Sequence, residues 1–126
     1  MDFSVYITYW PILQKGLLYT LYVCSVGLLI SLLGGLLLYG LKQIGLRITS
    51  ILYSTYITIF RGTPLLVQVY LVYYGGPFVG LELSAEQVGI FGLGFYGAAY
   101  FAEIYRSGFA SVPNGHVEAA YDLGYS

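Results

Sequence analysis

No charged side chain interrupts the sequence between Lys15 and Lys42, and the residues between them are dominated by leucine with scattered Gly, Tyr and Ser. As a helix, Gly16 to Leu41 would be about 39 Å long at 1.5 Å per residue, more than the roughly 30 Å of a bilayer's hydrocarbon core. A tilted first membrane helix over 16–41 is therefore predicted. Ile48 to Phe60 is apolar again, Arg61-Gly62-Thr63-Pro64 interrupts it, and Leu65 to Tyr74 is too short to cross alone. This predicts one crossing over 48–75, broken near 62–64, with Thr63 capping a restarted helix and Pro64 in its first position. Ser84 followed by Gln87 fits a capping box, opening a third crossing over 85–106 whose apolar body is Val88 to Tyr105. Beyond it, Ser111-Val112-Pro113-Asn114 leads into a short helix over Gly115 to Leu123, ended by Gly124 in the left-handed position. The predicted fold class is all-α and transmembrane, with three membrane helices and one short polar helix.

Small residues punctuate these segments. Ser25, Ser31, Gly34, Gly35 and Gly40 in the first, and Gly89, Gly92, Gly94, Gly97, Ala98 and Ala99 in the third, suit close approach of helix backbones where water supplies no driving force. A broken second helix needs protein or water around its freed backbone groups, and in transporters such breaks border the substrate path. The competing reading is an ordinary turn at the inner interface, with Arg61 reaching to water. Lys42, Arg47 and Arg106 flank one set of ends, whereas the 75–87 loop holds Glu82 and Glu86 and no cation. The positive-inside rule then places the 42–47 loop and everything after Arg106 in the cytoplasm, and the N-terminus outside, with Lys15 the one cation on the wrong side. Tyr6, Tyr9, Trp10, Tyr73 and Tyr74 would form the outer aromatic belt.

Composition narrows the class. With 58% apolar and 9% charged residues, and a mean hydropathy of +0.76, too few charges exist to cover a soluble globule. Five Lys and Arg in a net charge of −1 give no basic patch, so nucleic acid is not an expected partner. Cys24 stands alone in an apolar run and is read as packing. The first apolar run is too long for the core of a signal peptide, so the first helix should stay attached. One histidine, one cysteine and no phosphate-binding glycine loop leave no catalytic set, no metal site and no cofactor, so the chain is expected not to be an enzyme. Active transport would need energy from another subunit or an ion gradient. Glu103 and Arg106, three apart on the third helix, share a face and are expected to pair, either anchoring the helix or gating a wet path. On the last helix, Val117, Ala120, Tyr121 and Gly124 fall on one face, and Ala119 and Ala120 keep the surface shallow. Glu118 and Asp122 repel at i, i+4, which points to a partner supplying cationic or donor groups.

Two blocks carry a family resemblance. Tyr56-Ile57-Thr58-Ile59-Phe60-Arg61-Gly62-Thr63-Pro64-Leu65-Leu66-Val67-Gln68 is the first; Ala102-Glu103-Ile104-Tyr105-Arg106-Ser107-Gly108, leading through Ser111-Val112-Pro113 to Glu118-Ala119-Ala120 and Gly124, is the second. In order and spacing they resemble the permease subunits of bacterial ABC importers for polar amino acids, the histidine/glutamine permease family with its cytoplasmic EAA loop. The resemblance implies a type I ABC importer helical bundle in the bacterial inner membrane. It also implies a second permease subunit, identical or not, a cytoplasmic ABC ATPase docked on the EAA loop, an extracytoplasmic solute-binding protein, and a polar amino acid as substrate. It assigns ATPase coupling to Glu118, Ala119, Ala120 and Gly124; Arg61, Gly62, Thr63, Pro64, Gln68, Glu103 and Arg106 are candidates for lining or gating the path. Thr58 stands where the family usually has an acidic residue, and His116 where it usually has Gln. The family continues through the rest of the EAA loop, here 107–126, and two further membrane helices, so residues 1–126 are read as the N-terminal part of one transmembrane domain that does not transport alone. The alternative is a small self-contained oligomeric membrane protein or accessory subunit without an ATPase; a membrane-embedded enzyme is a third, poorly supported by the residues.

Overall fold

Among the described residues five α-helices follow one another: α1 (Phe3–Gln43), α2 (Arg47–Gly62), α3 (Leu65–Gly75), α4 (Ala85–Ala110) and α5 (Asn114–Asp122), with a 3₁₀ turn at Gly76–Val79. The computed structural model describes the backbone of residues 3–125 and the side chains of residues 9–125; Tyr6 of the expected aromatic belt lies outside the described side chains. Two helices, Tyr9–Gln43 and Ala85–Ala110, are long and apolar enough to cross a membrane. Only 17% and 28% of their most apolar stretches are buried, which is far too little for core helices of a water-soluble globule. Leu18, Leu29, Leu33 and Leu37 of α1 all lie exposed, as lipid-facing side chains do.

α1 begins at Phe3, well before the predicted start at Gly16. Neither Pro11 nor Lys15 ends it: the helix continues through the proline, which lies inside it and leaves one backbone carbonyl without its N–H, and the lysine is exposed, free to extend toward water. At its other end Gly45 adopts φ +75°, so three residues suffice to turn the chain back into α2. A side chain with a Cβ would be strained there.

Packing of α1 on α4 forms the core. Ser31 is buried and its hydroxyl donates to the Gly27 carbonyl at 2.8 Å, with the Leu93 and Gly94 carbonyls of α4 each 3.2 Å away. A Cβ on Gly35 would stand 2.6 Å from Phe101 Cβ, and one on Gly94 would stand 2.5 Å from Ile30 Cγ2; one on Gly97 would overlap the Ser31 hydroxyl. These glycines allow the two backbones to approach so closely that Ala98, Ala99 and Ala102 are sealed. Gly27, which the sequence pattern did not single out, belongs to the same seam, where a Cβ would stand 3.1 Å from Leu93 Cβ. Gly40 and Ser25 do not: Gly40 faces open space and Ser25 is exposed. Gly92 turns instead to α3, where a Cβ would meet Val69 at 2.9 Å. The seam is closed at one end by Tyr39 stacked on Phe109, centroids 5.3 Å apart, and by Tyr105 donating to the Leu32 carbonyl at 3.3 Å. At the other end Tyr19 donates to Glu86 at 3.1 Å.

α2 and α3 are each too short to span, at about 24 and 16 Å. Between them Thr63 and Pro64 are both extended, with ψ of 144° and 137°, as a residue before proline prefers. Thr63 does not cap α3 as expected, nor is Pro64 its first helical residue; Pro64 takes the cap position, and no side chain caps the helix. The Thr63 hydroxyl instead donates back to the Ile59 carbonyl at 2.8 Å. Pro64 has no N–H for the Phe60 carbonyl four residues earlier, and the Gln68 side-chain amide replaces it, 3.1 Å from Phe60 O, 3.1 Å from Thr63 O and 2.6 Å from Thr63 Oγ1. One side chain thus ties both halves of the break together. The Ser84 and Gln87 capping box opens α4 with reciprocal bonds of 3.2 and 2.9 Å.

Three substitutions read these contacts. Gly97→Ala should destabilise the protein by about 1–3 kcal/mol through overpacking, whereas Gly40→Ala, with room for its methyl, should not; thermal unfolding in detergent followed by circular dichroism measures both. Gln68→Leu strands the Phe60 carbonyl, at a cost of about 1–3 kcal/mol. With spin labels at the exposed Ile51 and Leu71, it should broaden the α2–α3 distance distribution; an unchanged distribution rejects the role given to the amide.

Candidate functional site

Glu103 gathers charges from two helices. Its position on α4, one turn before Arg106 and one after Tyr100, turns it toward α2, where Tyr53 and Arg61 lie eight residues, about two turns, apart on the same side. Tyr53 donates to Glu103 Oε1 at 2.6 Å; Arg106 donates from Nε to Oε1 at 3.1 Å and from Nη2 to Oε2 at 2.9 Å; Arg61 Nη1 lies 3.5 Å from Oε2. The Arg61 guanidinium sits over the Tyr100 ring, 5.2 Å from its centroid, and Lys42 Nζ sits over the Tyr53 ring at 4.7 Å. Tyr56 adds a second tie between these helices, donating to the Phe95 carbonyl at 2.8 Å. An exposed pair such as Arg106 with Glu103 contributes at most about 1 kcal/mol. Tyr53 is different, being buried, so its hydroxyl needs the carboxylate and fixes α2 against α4.

The sequence candidates divide into three places. Arg61, Glu103 and Arg106 meet in one cluster. Gly62, Thr63, Pro64 and Gln68 form the break above it, and among the described residues no hydrogen bond joins the two groups. Gln68 Oε1 is buried without a partner beside an apolar cavity of about 400 Å³ lined by Val69, Val72, Val88, Phe91 and Phe95. Glu118, Ala119, Ala120 and Gly124 belong to the third place, α5. Tyr53, Lys42 and Tyr100 were not foreseen. The helical spacing of Tyr53 and Arg61 would have found the tyrosine; nothing in the pattern reveals Lys42, whose place depends on how α1 crosses α2.

α5 leaves α4 through Ser111, Val112 and Pro113, the last holding the cap position with ψ 137°. It ends in a Schellman motif: Gly124 N–H donates to Tyr121 O at 2.9 Å, Tyr125 N–H to Ala120 O at 3.0 Å, and Gly124 has φ +84°. Every residue of the helix is exposed except Ala120, which is half-buried. Val117, Ala120 and Tyr121 line one side of a shallow hollow of about 330 Å³, with Val112, His116 and Tyr125 completing it. Glu118 lies outside that lining and makes no ion pair among the described residues.

Residues 27–126 match the family described as "Binding-protein-dependent transport system inner membrane component". The chain is 35% identical over 127 residues to the "Probable amino-acid permease protein YxeN" of Bacillus subtilis, covering 98% of this chain and 57% of that protein. It is 33% identical to the "Histidine/lysine/arginine/ornithine transport system permease protein HisQ" of Salmonella typhimurium, covering 91% of this chain and 55% of that one. Among solved structures, the "Crystal structure of an amino acid ABC transporter with histidines" contains a chain that superposes with a TM-score of 0.91 at 36% identity, covering 100% of this chain and 59% of that one. The chain thus spans a little over half the length of these relatives. A match over most of its residues, joined to the two exposed apolar helices, makes it a membrane protein of the binding-protein-dependent transport system inner membrane component family.

Proposed function

We propose that this chain is part of the membrane-spanning subunit of an ATP-driven importer for polar amino acids, and that α5 is the element through which a cytoplasmic ABC ATPase drives it. The relatives' names supply the substrate class. The observation that carries the coupling role is α5 itself: a helix capped at its C-terminus that stands clear of the bundle, joined to α4 by three residues, with a shallow hollow and the small Ala119 and Ala120 at its surface. In this reading Glu118 and Asp122 await donors on the ATPase. Closure of the nucleotide-bound ATPases moves α5, and α4 with it. A second permease subunit faces the break at 62–64, a solute-binding protein delivers from the side of the 75–87 loop, and α5 lies in the cytoplasm, as the distribution of Lys and Arg requires. Arg61, Gly62, Thr63, Pro64, Gln68, Glu103 and Arg106 are the residues proposed to border or gate the path.

The test is made in the assembled transporter. Cysteine placed at Ala119 should crosslink to the ATPase subunit, and access from the extracytoplasmic side or failure to reach that subunit sinks the reading. Gly124→Val forces a β-branched residue into a left-handed conformation at a cost of about 1–2 kcal/mol, which lowers the population of the capped helix by a factor of about 5–30. Amino-acid uptake should fall correspondingly while membrane insertion and ATP hydrolysis persist. Glu118→Lys should uncouple in the same sense.

A further inference from the structure

The charges around Glu103 do not balance. One carboxylate faces Arg61 at 3.5 Å and Arg106 at 2.9 Å, and Lys42 stands over the ring of the tyrosine that bonds the same carboxylate. Both Glu103 oxygens are occupied: Oε1 accepts from Tyr53 and Arg106, and Oε2 faces both arginines. Each guanidinium carries five donors, and Arg106 uses only those on Nε and Nη2 while Arg61 approaches with Nη1 alone. Among the described residues neither arginine meets a second acid; Glu86 is held by Tyr19 at the far end of α4.

The setting of the two arginines defines what would complete them. Their side chains are 40% and 43% exposed, so neither guanidinium is sealed among the described residues. Glu103 lies seven residues from the end of α4, about 10 Å along the axis, so a guanidinium extending from this level reaches the headgroup layer. Uncompensated charge at such depth is costly and calls for an anion. Two guanidiniums on one carboxylate oxygen present a paired fork that matches phosphate oxygens, and basic sites between membrane helices take anionic headgroups.

We propose that Arg61 and Arg106, drawn together by Glu103, seat the phosphate of an anionic phospholipid at this end of the bundle. Tyr53 locks the carboxylate that aligns them, and Lys42 adds a third positive charge nearby. The site requires only that the chain resides in a membrane.

The full chain, reconstituted in bilayer discs of phosphatidylcholine and phosphatidylglycerol, is examined by native mass spectrometry for the lipids it retains. Phosphatidylglycerol should be retained preferentially, and Arg61→Gln or Arg106→Gln should each weaken that preference about fivefold, while Lys15→Gln leaves it intact. Circular dichroism identifies variants that fold; the comparison of the two lipids on the unaltered chain decides the matter if they do not. Equal retention of both lipids overturns the proposal, as does a preference unchanged in both arginine variants. In neutral detergent, inorganic phosphate should raise the melting temperature less than phosphatidylglycerol does at the same concentration, because it lacks acyl chains; an equal rise reassigns the seat to free phosphate and overturns the lipid.

Discussion

The close approach of α1 to α4 is the constraint on which the remaining geometry rests. In lipid, apolar side chains gain nothing from leaving water, so two helices associate through contact and hydrogen bonding. Each such bond contributes only about 0.6 kcal/mol on average, so the Ser31 hydroxyl with the Tyr105 and Tyr19 bonds at the two ends of the seam cannot account for the pairing. Contact must, and contact at this distance requires that no Cβ stand at Gly35, Gly94 or Gly97. Once α4 is held along α1, Glu103 has one direction in which to face, and α2 returns from the Gly45 turn onto the side where Tyr53 and Arg61 meet it.

The interruption between α2 and α3 is the converse case, a place where regular structure is abandoned and the backbone groups are satisfied by other means. Pro64 removes a donor, Thr63 consumes its hydroxyl on the preceding turn, and one glutamine amide spans the gap. A break so supported is a defined joint. It holds a fixed bend because its polar groups are occupied by the Thr63 hydroxyl and the Gln68 amide.

Much of this was legible in the chain because the signals are local. The charge-free run after Lys15, the proline at 64, the Ser84 and Gln87 pair and Gly124 each announce a helix, a break, a start or a stop through their own backbone chemistry. What was not legible depends on another helix. Gly27 and Gly40 look alike in sequence, yet one is pressed against Leu93 and the other faces open space; only the crossing of α1 and α4 distinguishes them. Thr63 is a good cap residue by type and was assigned accordingly, but the nearby Ile59 carbonyl offers its hydroxyl an acceptor inside α2. The first helix was begun too late because a lysine was given the force of a boundary that it does not have.

The stacking of Tyr39 on Phe109 has a mechanical consequence. Phe109 is in the last turn of α4, directly before the joint to α5, and its ring lies within 2° of parallel to that of Tyr39. The last turns of α1 and α4 are thereby clamped to each other just ahead of the short terminal helix, which is rooted in two long rods instead of one.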